Sequence, residues 1–159
     1  MSLAPLYAKA AVGAVLPGRG SELPTDEVVR DDVLVDRGHL ADYARVCGFA
    51  LSDTLPPTYP HVLGFALHVE LMARRSFPLA LPGLVHVRNR IVATRAIDAG
   101  ELLRLAVHAE RFVAHPKGAQ VDLVTAVAVE GDAVWTGRST YLARGARPPA
   151  GAIAATPDE

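Results

Sequence analysis

The hydrophobic and polar positions change period partway along this chain. Val28 to Val35 alternates imperfectly and reads as a first strand. Asp36 then stands where an N-cap belongs, ahead of Leu40, Tyr43, Ala44 and Cys47 at helical spacing, and Gly48 is a suitable stop. Ser52 to Pro60 holds three prolines and must be irregular. Pro60 suits the first turn of a further helix, where its missing N–H is not needed. From His61 to about Arg75 polar residues are few. A helix apolar on nearly every side has to be wrapped by other elements. Arg74 and Arg75 follow it and suit the negative end of its dipole.

Four stretches after that helix read as strands: Leu84 to Ala96, Glu101 to His115, Gln120 to Glu130 and Ala133 to Leu142. In the second, Leu103, Leu105, Val107 and Ala109 fall on one side, with Arg104, His108 and Glu110 on the other. Glu130-Gly131-Asp132 is a tight hairpin signal, and Ile97-Asp98-Ala99-Gly100 is expected to turn the first of these strands back into the second. Hairpins imply antiparallel pairing, so the apolar helix is not a crossover between parallel strands. The economical solution is an α+β fold in which a curved antiparallel sheet wraps one long central helix. Residues 1–27 form an N-terminal extension, with a short strand or helical turn expected over Tyr7 to Val15 and a loop at Pro17-Gly18-Arg19-Gly20. Residues 28–143 form the domain, and 144–159 form a flexible Ala/Gly/Pro-rich tail or linker.

Composition narrows the function classes. The 159 residues suffice for one domain with a real core. The net charge of -1 favours neither nucleic acid nor an anionic membrane as partner. The single cysteine, Cys47, excludes an internal disulfide framework, fits a reducing cytoplasm, and is expected to be a small buried residue on its helix. The N-terminal residues do not read as a secretory leader, and no apolar run reaches the span of a bilayer. The six histidines show no HxH or HxxxH ligand pair, so no metal site is expected.

Four segments, in order, carry a likeness to known proteins. They are Tyr43-Ala44-Arg45-Val46-Cys47-Gly48, Leu55-Pro56-Pro57-Thr58-Tyr59-Pro60-His61-Val62-Leu63, Gly83-Leu84-Val85-His86-Val87-Arg88-Asn89-Arg90-Ile91, and Ile97-Asp98-Ala99-Gly100-Glu101-Leu102. Together they resemble the short helix, active-site loop, outgoing strand and turn of the MaoC-like acyl-thioester dehydratases and (R)-specific enoyl-CoA hydratases. The likeness is to the N-terminal half of double-hotdog members, and it covers roughly residues 28 to 143. It implies a hotdog fold and hydration or dehydration of 2-enoyl and 3-hydroxyacyl thioesters carried on coenzyme A or acyl carrier protein. No further cofactor is implied.

In the catalytic halves of that family the loop reads Asp-x-Asn-Pro-[Leu/Ile]-His. Acid and base share a short loop because both must reach one water beside the C2–C3 bond. The helix N-terminus is placed to stabilise charge developing on the thioester oxygen. This chain departs from the pattern. Pro56 stands five residues before His61, Tyr59-Pro60 replaces Asn-Pro, and Asp53, the nearest upstream acid, is eight positions away.

The resemblance therefore implies His61 and Asp53 as the catalytic candidates, with Tyr59, His61, Gly64, His86, Arg88, Asn89 and Arg90 as the substrate-binding candidates. For several of these a structural role stands open beside the functional one. His61 can be a locally bonded histidine at a helix start, the Tyr59 ring can pack over its loop, and Arg88 and Arg90 can belong to a solvated face. His68 is expected to find one hydrogen-bond partner, and Glu70 to emerge at the helix edge. The implied role is the substrate-binding half of a dimer, its partner a second copy or a catalytic MaoC-like hotdog subunit. Two other readings stay open: a self-sufficient homodimeric hydratase or thioesterase, with Glu70 the only acid on the central helix, and a non-enzymatic acyl-thioester binder.

Overall fold

The computed structural model describes residues 19–155. The element expected over Tyr7 to Val15 lies outside them. The order is β1 (Val28–Val33), α1 (Arg37–Cys47), α2 (Tyr59–Met72), β2 (Leu84–Ala93), β3 (Leu103–His115), β4 (Gly118–Val129) and β5 (Asp132–Arg144). The strands form one five-stranded sheet in the order β1-β3-β4-β5-β2, antiparallel at every step.

Local chemistry explains the helix ends. The Asp36 carboxylate accepts from the backbone N–H of Gly38 at 2.8 Å and of His39 at 3.1 Å, so α1 starts where an N-cap was expected. It ends at Gly48, whose φ of 75° is left-handed. Pro60 lies in the first turn of α2. That helix stops at Met72, a turn earlier than the apolar run suggests, and Arg74 beyond it pairs with Asp26.

The sheet curves around α2, which lies against β1, β3 and β4. Leu67, Leu71 and Met72 of the helix meet Leu103, Leu105, Val107, Val121, Leu123, Val127 and Trp135 in one core. Two residues at breaks in the strand register help the sheet bend. Asp32 (φ 54°) interrupts the β1–β3 pairing, and Arg111 (φ 53°) interrupts β3–β4. A bulge adds local twist where a flat sheet could not close over a helix. The β4–β5 hairpin has Glu130 and Gly131 as its two loop residues, both at positive φ, the geometry that matches strand twist.

Two expectations need correction. Ile97 to Gly100 does not fold β2 back onto β3, because β3 is already paired by β1 on one edge and β4 on the other. β2 pairs instead with β5, and the connection is tied to the loop before α2, where Leu55 N–H donates to the Ile97 carbonyl at 2.9 Å. Cys47 is exposed rather than buried, because the last turn of α1 turns that face to solvent. Beyond β5 the chain returns along β3, with Ala114 N–H donating to the Ile153 carbonyl at 3.0 Å and Ala155 N–H to the Ala114 carbonyl at 2.8 Å. No helix among the described residues is long and apolar enough to cross a membrane.

Candidate functional site

The start of α2 is held from three sides. Trp135, on the concave face of β5, donates its indole N–H to the Pro57 carbonyl at 2.8 Å and fixes the proline loop to the sheet. Gly137 makes room for that indole, since a Cβ there would lie 2.3 Å from its ring. Tyr59 is fully buried under α1, its hydroxyl 2.8 Å from His39 Nδ1. Burial, then the nearby Asp36 charge, push the Tyr59 phenol above its ordinary pKa, so it stays neutral. Thr58 spends its hydroxyl on Tyr43 at 2.7 Å.

One turn further, four rings meet between α2 and the β5–β2 side of the sheet. His61 stacks on His86 at a centroid distance of 5.5 Å, and His86 stacks on Tyr141 at 4.9 Å. His68 lies edge-on to His61 at 5.6 Å and to Tyr141 at 6.0 Å. His68 is fully buried, with Nε2 2.6 Å from Thr125 Oγ1 and Nδ1 3.0 Å from the Tyr141 hydroxyl. Burial, reinforced by His61 and His86, lowers its pKa to about 3. His68 is thus a neutral polar post inside the core, with two partners where one was expected. His61 is half-buried, and burial followed by the proximity of His86 lowers its pKa too. Its Nδ1 is buried with no hydrogen-bond partner among the described residues. A neutral imidazole carries one N–H and one lone pair, so His61 can accept or donate one proton at the start of the helix.

His61 also lines a cavity of about 680 Å³ between β1, α1 and α2. Its walls include Leu34, Val62, Leu63, Phe65 and Ala66, and Asp36, His39 and His61 supply polar atoms. An apolar chamber with a few polar groups suits an amphipathic molecule with a short polar head.

The structure brings His61 and His86 together but not His61 and Asp53. Asp53 pairs with Arg37 and lines a different cavity, of about 380 Å³, on the far side of α1. Gly64 is buried where α2 comes closest to the sheet: a Cβ there would lie 2.9 Å from Thr125 Cγ2. Asn89 sits at the sheet edge on the concave register, accepting from Ser139 Oγ at 3.4 Å. Arg88 and Arg90 stand on the opposite, convex face, in register with Thr140 and Arg138. Glu70 emerges at the helix edge and pairs with Arg30. His39, Thr125 and Tyr141 join the site without being expected there. A histidine breaking an apolar run was the only trace of the buried network, since its partners lie 57 and 73 residues away. Among the described residues no three His, Cys, Asp or Glu side chains converge as metal ligands.

An antiparallel sheet closed around one helix, with a polar cluster at the helix start, defines a hotdog protein. No family model matches the chain. It is 35% identical over 136 residues to 3-hydroxyacyl-thioester dehydratase X of Mycobacterium tuberculosis, covering 84% of this chain and 48% of that protein. The crystal structure of HtdX from the same organism superposes with a TM-score of 0.71 at 33% identity, over 75% of this chain and 51% of that one. A MaoC-like dehydratase from Phytophthora capsici shares the fold, with a TM-score of 0.66 at 19% identity over 77% of this chain and 48% of that one. The chain has the hotdog fold of these proteins and is similar to part of a 3-hydroxyacyl-thioester dehydratase, spanning about half the length of the curated relative described above.

Proposed function

We propose that this chain takes part in hydrating or dehydrating 2-enoyl and 3-hydroxyacyl thioesters, as the half that binds the acyl group and supports a catalytic hotdog partner. The observation that carries this reading is the likeness, at 35% identity, to about half of a 3-hydroxyacyl-thioester dehydratase, together with a helix start that has a histidine but no adjacent acid. His61 is in place, Pro56 holds the position of the family's aspartate, and Asp53 is turned to another cavity. Without a carboxylate beside it, a neutral imidazole can hydrogen-bond a thioester or a water, but it does not form the acid/base pair. The chamber beside His61 receives the acyl chain, and His39, Tyr59 and His61 mark its polar end. Tyr59, Gly64 and the Trp135-anchored loop shape the site rather than touch the reacting carbons.

The test is hydration of crotonyl-coenzyme A and a longer enoyl-coenzyme A by the purified chain, alone and with a co-expressed MaoC-like subunit carrying the full Asp/His loop. Activity only in the mixture is expected. Turnover by the chain alone, abolished by His61→Ala, would overturn the supporting role and place the chemistry on this chain.

A further inference from the structure

The cavity between β1, α1 and α2 carries polar side chains from two directions: Asp36 and His39 at the start of α1, and His61 on α2. No arginine or lysine among the described residues lines it. Hydrogen-bond accounting shows what these groups offer a ligand. Tyr59 is fully buried, and His39 Nδ1, at 2.8 Å, is the partner of its hydroxyl. A buried donor left unpaired is costly, so the phenol donates to Nδ1, and a neutral His39 then carries its own proton on Nε2. His61 Nδ1 is buried without a partner among the described residues. A bare lone pair is tolerated in that position better than an N–H, so the proton of a neutral His61 also sits on Nε2. Two imidazole N–H donors and one carboxylate thus serve a single cavity whose other walls are apolar.

The inference rests on the acyl-binding role proposed above. In that role the thioester and the C2–C3 bond lie against the partner's acid/base loop, because acid and base must reach one water there. The cavity of this chain receives the distal part of the acyl group. A plain hydrocarbon would strip water from the imidazole N–H groups and replace none of its hydrogen bonds. An anionic chain end would meet Asp36 with no cation in the walls to offset it. A hydroxyl suits all three groups: its oxygen accepts from an imidazole N–H and its proton goes to a carboxylate oxygen.

We propose that the acyl group received by this chain bears a hydroxyl remote from its thioester, held by His39 and His61, while Asp36 excludes carboxylate-ended chains. Tyr59 acts through His39 as a positioning residue that fixes the ring and its tautomer. Sites built to hydrogen-bond a ligand reject the analogue that leaves their polar groups unpaired.

The test is calorimetric titration of the full chain with saturated acyl-coenzyme A probes, which have no double bond to hydrate. Plain, ω-hydroxy and ω-carboxy chains are compared at matched lengths of about six to twelve carbons. At the best-fitting length the ω-hydroxy probe is expected to bind on the order of tenfold tighter than the plain one. The ω-carboxy probe should bind more weakly than either. His39→Leu and His61→Leu should bring the ratio of hydroxy to plain affinity toward one. Both are checked by circular dichroism, and if His61→Leu does not fold, His39→Leu, at an exposed position, carries the test. Asp36→Asn keeps a helix cap and should reduce the discrimination against the carboxylate. A plain chain that binds as tightly as its hydroxylated counterpart at every length would overturn the proposal. So would a hydroxyl preference that survives in every folded histidine variant. Either result leaves acyl binding, and the functional reading with it, in place. Failure of every probe to bind, to the chain alone or with the co-expressed catalytic subunit, would remove that reading and this inference together.

Discussion

At the scale of single residues, His68 carries the clearest physical signature. It is fully buried between Thr125 and Tyr141, and its pKa falls to about 3. A histidine whose folded pKa lies below its unfolded value, near 6.5, binds its proton more readily in the unfolded chain. Its contribution to stability is therefore full above about pH 6.5 and declines as the pH falls toward 3. Urea denaturation at pH 7 and pH 5 should show the wild type losing more stability on acidification than His68→Gln. Equal losses would mean that His68 is not neutral in the folded chain. Replacing it by leucine should cost about 1–3 kcal/mol for each hydroxyl left buried without a partner. The sequence shows a histidine inside an apolar run, which marks the position as unusual. It cannot show which hydroxyls satisfy it, because they reach it only once β4 and β5 fold over the helix.

At the scale of elements, the approach of α2 to β4 is set by a missing side chain. Gly64 lets the helix come so near that a Cβ would lie 2.9 Å from Thr125 Cγ2. Gly64→Val should overfill this contact and destabilise the protein by about 1–3 kcal/mol, read as a lower urea midpoint. Thr125→Ser removes the clashing methyl and keeps the hydroxyl that meets His68. In the Gly64→Val background it should therefore restore part of the loss, and a purely additive double-mutant cycle would place the strain elsewhere. Elements governed by nearby residues were legible in the chain: the Asp36 cap, the Gly48 stop, Pro60 in the first turn of α2, and the Glu130-Gly131 hairpin. The link between β2 and β3 departs from its expected hairpin because its turn residues are local while the pairing of its flanking strands is not. Strand order depends on which edges remain free, and β1 had already taken the free edge of β3.

At the scale of the whole molecule, the sheet has a sealed centre and an open side. β4 lies between β3 and β5 and is buried over most of its length, whereas β2 is exposed over most of its length. Local opening follows burial and hydrogen bonding, so amide exchange should be slowest in β4. In β2, amides not bonded to β5 should exchange fastest and become protected when a catalytic hotdog partner binds. Unchanged exchange in β2 within an active complex would place the partner on another surface. The candidate site follows the same geography: His86 and Asn89 belong to the open strand, while His68 and Trp135 belong to the closed interior.

Local composition and period by themselves determined the helices, the strands, the α+β class and the importance of the proline loop before α2. Each of these depends on residues a few positions apart. The departure from the family's acid/base loop was equally plain, since Pro56 cannot act as an acid. Only the tertiary structure decided that His61 meets His86 rather than Asp53, that Trp135 pins the proline loop, and that β2 pairs with β5. Those relations join residues far apart in sequence. They are fixed by how the sheet curls around its helix, and no local period encodes that curvature.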